Sequence, residues 1–286
     1  MKRKIKRSEI EEKIFKILMI VSLAIVLLSL IGIISVIVIK GFSALSWSMI
    51  FETPKGGYYL GKEGGIANAI VGSLYLAFGA LILSLIVSIP LAFALQKDYL
   101  NKKIANLIRV LLDVLCGVPS IVYGAFAFIV MMHFMIRASL LGGIVTLALF
   151  MTPIMTRAMD ESIRLVPAEL KEASYSMGAT RFETSFKIVL RQSLPGIATA
   201  VLIAFGRGIG DAASILFTAG YTDSIPTSLF SPVASLPLAI FFQIATPIAE
   251  VQRRAYASAF ILLAIVLIVS IITRYLSSRF SRYNLS

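Results

Sequence analysis

Long apolar runs separated by short polar segments dominate the pattern of this chain. A bilayer core about 30 Å thick takes about 20 consecutive apolar residues in a helix. Six runs approach or exceed that length, and they predict an all-α integral membrane protein with six transmembrane helices. The predicted spans cover about residues 17–39, 66–95, 110–132, a shorter run that ends near 155, 194–217 and 256–272.

The first run follows a strongly basic N-terminus, a combination that signal peptides share. It exceeds the apolar core of a signal peptide, about 7–15 residues, and lacks a small-residue cleavage site, so we expect it to be retained as a span. Another apolar piece, residues 236–249, is short for a span and is bracketed by Pro237 and Pro247. We expect it to form an interfacial or re-entrant segment.

Residues 157–195 break the apolar pattern, because they are polar and basic. Pro167 suits the first turn of a helix, where its missing N–H costs nothing. A short amphipathic helix is therefore expected after it. One face of this helix is formed at i, i+3, i+4 and i+7 by Leu170, Ala173, Ser174 and Met177.

Two turn signals end this helix and start another. Gly178 suits the left-handed backbone conformation that ends many helices. Thr180 and Glu183 have the spacing of a capping box, which predicts a second short helix. Two amphipathic helices that meet at a glycine elbow either press into a partner protein at the membrane surface or lie on the lipid interface.

The composition agrees with a membrane protein and argues against other classes. Apolar residues make up 58% of the chain, and the mean hydropathy is +0.90, whereas soluble proteins contain about 45–50% apolar residues. The net charge is +12, and the basic residues flank the apolar runs. This placement indicates that they orient the chain in a membrane rather than bind nucleic acid. With Cys116 and His133 as the single residues of their types, we expect no disulfide, redox pair or metal site.

The distribution of basic residues predicts the orientation. If the N-terminus is inside, the cytoplasmic segments contain 20 of the 27 Lys and Arg residues. We therefore expect a protein of the cell (plasma) membrane with both termini and the loop 157–195 in the cytoplasm. Arg253 and Arg254 fall on the outer side and do not fit this rule. Residues 56–62 have the spacing of a P-loop, but Glu63 replaces the magnesium-binding Ser or Thr and no strand precedes it. We therefore expect no ATP site there.

Two charged residues, Arg207 and Asp211, fall inside the fifth predicted span. Their i, i+4 spacing predicts an ion pair on one helix face. A charge near the bilayer centre costs about 2.5–3.5 kcal/mol on insertion scales, so such residues usually face a protein interior or a wet cavity. The pair either fixes helix packing or forms an anion site, in which the guanidinium fork binds an oxyanion and Asp211 positions the arginine or accepts a proton. Close approach or local unwinding is expected from Gly206, Gly208 and Gly210.

Arg157, at the inner end of the fourth predicted span, is a further basic residue with alternative roles. We expect one of two roles for it. Either it serves the pathway, as a gate or a second anion contact, or it anchors the helix at the cytoplasmic interface.

The run Glu172-Ala173-Ser174-x-x-x-Gly178, followed by Leu194-Pro195-Gly196, resembles the EAA loop of ABC importer permeases. Ser174 stands where that family usually has a second alanine. In the family, the short helix of the loop inserts into a groove on a cytoplasmic ATPase and transmits its closure to the spans. The resemblance implies a type I importer (MetI-like) permease architecture. It also implies ATPase contacts through Leu170, Glu172, Ala173, Ser174, Met177 and Gly178.

Four separated motifs resemble the A-type membrane subunits of phosphate-specific importers. They are GGIANAI at residues 64–70, VPSIVYG at 118–124, RLVP at 164–167 and RxxGDAA at 207–213. Asp211 stands where that branch commonly has glutamate. The resemblance covers about residue 64 to the C-terminus. It implies a permease domain at 64–286, with the coupling loop at 157–195, after an N-terminal part at 1–63.

The resemblance further implies phosphate import, with Arg207, Asp211 and Arg157 expected along the substrate pathway. A B-type permease subunit (PstC-like) would form the other half. Two ATPase subunits (PstB-like) would bind ATP and magnesium, so this chain would hold no cofactor and would not be an enzyme, and an extracytoplasmic binding protein (PstS-like) would deliver phosphate. Sulfate or molybdate is the alternative substrate. A secondary transporter would normally show two similar halves, and no convincing internal repeat is present.

Overall fold

The computed structural model describes residues 2–55 and 64–281, with side chains for 11–55 and 64–275. The regular elements in these ranges are helices, which confirms the all-α fold. They are α1 (Lys2–Ala44), α2 (Trp47–Phe51), α3 (Ala67–Ala94), α4 (Lys102–Gly117), α5 (Ser120–His133), α6 (Leu140–Arg164), α7 (Ala168–Ser176), α8 (Arg181–Glu183), a π-helical segment (Thr184–Val189), α9 (Leu190–Ile209), α10 (Leu236–Gln243) and α11 (Ala249–Ser281). The P-loop-like piece and Glu63 lie outside the described residues.

Within the described ranges, five helices are long and apolar enough to cross a membrane, and α4 and α5 together pass the same test as a bent pair. The third predicted span, 110–132, corresponds to this bent pair, which starts earlier than expected because the chain is helical from Lys102, and its two helices meet at 98°. Pro119 causes the break. It lacks a backbone N–H, and it favours the extended conformation that Val118 adopts.

Two further helix boundaries differ from the prediction. The helix of the fourth predicted span, α6, continues past Met155 to Arg164. The fifth is helical from Arg181 through the π-helical segment and ends at Ile209. The second short helix expected after Gly178 is therefore the beginning of the fifth span. Residues 210–217, which were expected to be helical, form turns and irregular backbone.

Helices α3, α6 and α9 build the main core. Along α3, many of the buried side chains are small, which lets helices approach closely in a membrane. They are Ala77, Ala80, Ser84, Ser88 and Ala92. Opposite them, α6 buries Met151, Met155 and Met159. The Ser88 hydroxyl donates a hydrogen bond of 3.3 Å to the Thr152 carbonyl and joins the two helices.

The outer elements divide into lipid-facing and buried ones. Helix α1 packs along α11 and leaves its apolar side chains exposed, as expected for a surface in contact with lipid. Helix α10 has eight residues, a length of about 12 Å, which is too short to cross a bilayer. It is buried against α3 and α11, and the choice between an interfacial and a re-entrant segment stays a prediction.

Arg254, which did not fit the charge rule, has a structural explanation. Its side chain is buried, with 2% exposure, and interacts electrostatically with Asp223. Burial raises the pKa of Asp223, and the nearby guanidinium opposes that rise. An arginine held inside the protein by a carboxylate carries little information about topology.

Candidate substrate pathway and coupling surface

Arg207 lies in the last turn of α9, with its side chain exposed and its guanidinium carbon 5.7 Å from the centre of the Phe150 ring. Phe150 lies near the middle of α6. Although Arg207 belongs to the last turn of α9, its guanidinium is therefore about 15–20 Å along the axis from either end of α6. In the part of the chain with described side chains, no carboxylate pairs with Arg207 and none of its N–H groups donates a hydrogen bond. Its charge is therefore available for an anion.

The predicted ion pair between Arg207 and Asp211 is wrong. Because α9 ends at Ile209, Asp211 does not continue the helix face that carries Arg207. The Asp211 carboxylate instead accepts a hydrogen bond of 2.7 Å from the Ser120 hydroxyl and one of 2.8 Å from the Ser214 amide. It thus fastens the end of α9 to the first residue of α5. The proposed role of Asp211 in the pathway stays a prediction.

Glycine is required where α5 meets the segment after Asp211. A Cβ atom on Gly124 would lie 2.5 Å from the Ser214 carbonyl oxygen, so a larger residue would separate the two elements. This contact gives a physical reason for the last position of the motif at 118–124. Of the glycines near Arg207, Gly208 packs closely on Met151, whereas Gly206 faces open space. The expected close approach therefore holds for Gly208 and fails for Gly206.

Arg157 lies inside α6 and is surrounded by carboxylates. Its guanidinium nitrogens are 2.6 Å from Asp113, 3.3 Å from Glu161 and 3.4 Å from Asp160. Its charge is compensated within the chain, unlike that of Arg207. Its role as a gate or anion contact stays a prediction, and the ion network gives it a structural role.

The sequence analysis missed Asp160, which is the centre of a buried polar network. Its carboxylate is fully buried and accepts hydrogen bonds from the Arg109 Nε and Nη2 atoms, at 2.7 and 3.0 Å, and from the Gln96 amide at 3.0 Å. Arg109 also donates to the Leu95 carbonyl at 2.7 Å. The network joins the end of α3, the middle of α4 and the last turns of α6. A signal existed, because continuing the buried stripe of α6 past Met159 to Ile163 makes Asp160 part of the helix interior.

The predicted elbow is present. Helix α7 begins directly after Pro167, and Gly178 follows it with a φ of +81°. Thr180 and Glu183 form both hydrogen bonds of the capping box. These local predictions are confirmed, because each depends on residues close in the sequence.

The six residues expected to contact an ATPase lie on two different sides of the elbow. Leu170 packs against the main core, and the Ser174 hydroxyl lies 2.8 Å from that of Thr184. The other four are exposed, and Met177 has 89% of its surface accessible. These exposed residues are Glu172, Ala173, Met177 and Gly178. We call them the coupling surface, and the expected apolar face of α7 is split between this surface and the core.

Several contacts attach the elbow to the connection between α3 and α4. Lys171 lies 3.6 Å from the Asp98 carboxylate, and Arg181 donates a hydrogen bond of 2.8 Å to the Asp98 carbonyl. The Tyr99 hydroxyl lies 2.9 Å from that of Ser185, in the π-helical segment. Burial and the Asp98 charge raise the pKa of Tyr175. The elbow is therefore attached to the connection that also carries Gln96.

Comparisons with known proteins agree with this architecture. A family model described as binding-protein-dependent transport system inner membrane component matches residues 88–282. The phosphate transport system permease protein PstA of Yersinia pestis is 31% identical over 267 residues, covering 92% of this chain and 90% of the relative. The probable phosphate transport system permease protein PstA of Methanocaldococcus jannaschii is 34% identical over 218 residues, covering 75% and 76%.

A solved structure shows the same fold. An inward-facing conformation of the MetNI methionine ABC transporter matches with a TM-score of 0.62 at 17% sequence identity, covering 75% of this chain and 95% of that one. The predicted MetI-like permease architecture is thereby confirmed.

Proposed function

Because the chain belongs to the family of binding-protein-dependent transport system inner membrane components, we propose that it is the A-type membrane subunit of an ATP-driven importer of inorganic phosphate. The names of the relatives from Yersinia pestis and Methanocaldococcus jannaschii support this substrate. The chain is a multi-pass membrane permease and supplies half of the translocation pathway.

The exposed guanidinium of Arg207, which has no ion-pair partner in the described part of the chain, is the observation that carries this function. A charge at the depth of Phe150 is costly unless it meets a wet cavity or a counter-ion. The planar fork of an arginine matches two oxygens of a tetrahedral oxyanion. Phosphate passing between this chain and a second permease subunit would supply that counter-ion. Asp211 and Ser120 hold the backbone around this position, and we keep Asp211 and Arg157 as secondary residues of the pathway.

The partners follow from the same proposal. A B-type permease subunit (PstC-like) covers the face that exposes Arg207, and an extracytoplasmic phosphate-binding protein (PstS-like) delivers the anion. Two ATPase subunits (PstB-like) bind ATP and magnesium, one of them on the coupling surface of this chain. Met177 suits such a contact, because its apolar side chain is exposed and methionine is enriched in protein interfaces. The permease itself binds no cofactor.

Transport proceeds by alternating access. ATP binding draws the ATPase subunits together and moves α7. The Lys171–Asp98 and Tyr99–Ser185 contacts pass this motion to the connection between α3 and α4. That connection leads to α4 and to the break before Ser120, beside the end of α9. Hydrolysis reverses the movement.

The orientation that fits this mechanism has both termini in the cytoplasm. The excess of basic residues at the proposed inner ends of the spans supports it. Without Arg254, which Asp223 accompanies in the interior, the bias becomes stronger.

Uptake of radiolabelled phosphate tests the proposal. The chain, its permease partner and its ATPase are reconstituted in proteoliposomes, with the binding protein and phosphate on one side and ATP on the other. We expect ATP-dependent accumulation that excess unlabelled phosphate abolishes. Sulfate and molybdate at the same excess should leave it unchanged, and competition by either would assign the permease to that oxyanion instead.

A further inference from the structure

A cavity of about 510 Å³ lies on the flank of the elbow, between α7, the start of α4 and the end of α3. Its volume falls within the range of about 300–1,000 Å³ that is typical of small-ligand sites. Five cationic side chains line it, together with two carboxylates. The cations are Lys97, Lys102, Arg109, Arg164 and Lys171.

Three of these cations have no compensating partner among the described residues. Arg109 is neutralised by the buried Asp160, and Lys171 lies 3.6 Å from Asp98. Lys97, Lys102 and Arg164 form no ion pair within the side chains that the structure describes. Glu172 is the remaining carboxylate of the lining, so an excess of positive charge faces the cavity.

The cavity lies at the edge of the lipid-facing surface. Helix α4 exposes Ile104, Leu107 and Leu111 on the side opposite to Lys102 and Arg109, which line the cavity. An exposed apolar stripe of this kind is expected to contact acyl chains, and the basic first turn of α4 then lies at headgroup depth. One helix thus presents a lipid-facing stripe and a basic wall.

We propose that this cavity binds a phosphate-bearing anion, which Lys97, Lys102 and Arg164 hold beside the coupling helix. The ligand is either the headgroup of an anionic phospholipid or a small soluble phosphate ester. This site is distinct from Arg207 and does not depend on the transported substrate. Because Lys171, Glu172 and Tyr175 of α7 also line the cavity, a bound anion contacts the element that receives the ATPase.

Binding of defined probes to the full chain tests this proposal. Purified protein in a non-ionic detergent is titrated with dihexanoylphosphatidylglycerol, with dihexanoylphosphatidylcholine and with glycerol 3-phosphate, by native mass spectrometry and calorimetry. We expect the anionic lipid to bind at least tenfold more tightly than the zwitterionic one. If glycerol 3-phosphate binds as tightly as the anionic lipid, the ligand is a soluble phosphate ester. If glycerol 3-phosphate binds more weakly than the anionic lipid, the ligand is a lipid headgroup. Either result supports the phosphate site.

The variant that removes all three cations locates the site. Lys97→Ala, Lys102→Ala and Arg164→Ala together should weaken binding about 100-fold, since each cation near a membrane surface contributes about a fivefold factor. All three side chains are exposed, so the fold should persist. The matched control changes Lys103, which is next to Lys102 but outside the cavity, and Arg191, another exposed arginine.

Several outcomes would overturn the proposal. The proposal is wrong if the anionic and the zwitterionic lipid bind with equal affinity and glycerol 3-phosphate does not bind. It is also wrong if the triple variant binds as the unaltered protein does, or if the Lys103→Ala/Arg191→Ala control loses as much affinity. Arg207→Ala should leave this binding unchanged, and a parallel loss would assign the anion to the transport pathway.

Discussion

Arg109 and Asp160 form a two-point ion pair, with N–O distances of 2.7 and 3.0 Å, around a carboxylate that is entirely buried. The pair joins α4 to α6 at the level where the elbow meets the spans. Because Gln96 donates to the same carboxylate, the end of α3 is held there as well. One carboxylate of α6 thus connects the end of α3 with the middle of α4.

Removal of Arg109 tests how much this ion pair contributes to the stability of the fold. Arg109→Ala leaves a buried carboxylate with one neutral donor and the weaker Arg157 contact, and we expect it to cost about 3–5 kcal/mol of stability. Asp160→Asn should cost less, because Arg109 retains the Leu95 carbonyl and partial access to water. Thermal unfolding in detergent measures both variants. Asp113→Asn, at an exposed carboxylate, is the control and should change stability by less than about 1 kcal/mol.

Gly178 gives a prediction about the elbow alone. Its φ of +81° suits glycine, and a Cβ atom there would meet no neighbouring atom. Gly178→Ala should therefore cost about 1–2 kcal/mol through backbone strain. Gly206→Ala, at a helical glycine that also faces open space, should be neutral or stabilise by up to about 1 kcal/mol. Equal effects in unfolding experiments would contradict the assigned backbone geometry.

Met177 and Leu170 should respond differently to the same change. Met177→Asp places a charge on the exposed coupling surface, so we expect normal folding and loss of ATPase co-purification. Leu170→Asp places a charge against the core and should reduce the amount of folded permease. Membrane yield and pull-down with the ATPase separate the two results. Intact ATPase binding by Met177→Asp would show that the ATPase docks elsewhere.

The Ser120–Asp211 hydrogen bond predicts a role for the break between α4 and α5. Ser120→Ala removes a donor to a carboxylate, a loss of about 1.5–3 kcal/mol, and loosens the contact between α5 and the end of α9. We expect slower phosphate uptake, with rescue by Ser120→Thr because threonine restores the hydroxyl. Initial uptake rates provide the measurement. Unchanged rates in Ser120→Ala would remove this bond from the transport mechanism.

Local signals made much of the fold predictable. Pro167, Gly178 and the Thr180–Glu183 box act within a few residues, and each of them was read correctly from the sequence. The end of α9 was missed because Arg207 and Asp211 fit one helix equally well in the sequence. The Asp211 carboxylate forms a tertiary bond to Ser120 and caps the turn at Ser214, which competes with continued helix.

The buried network was missed for a different reason. Asp160 is one of several charges in a polar stretch, and only the continuation of the buried stripe of α6 distinguishes it from Glu161, which is exposed. Its burial depends on Arg109 and Gln96, which are far away in the sequence. The pathway prediction was affected in the same way, since Arg157 and Arg207 look equivalent until their neighbouring carboxylates are known.

Phosphate uptake by Arg207→Ala is the most direct test of the whole account. The variant is compared with Arg191→Ala, which removes an exposed arginine from the opposite end of the same helix. We predict that Arg207→Ala assembles with its partner subunits but transports phosphate about 100-fold more slowly, as expected for the loss of a charge-assisted contact of about 2–3 kcal/mol. Arg191→Ala should transport normally. Uptake by Arg207→Ala at the unaltered rate would contradict the account, because the anion would then pass without this guanidinium.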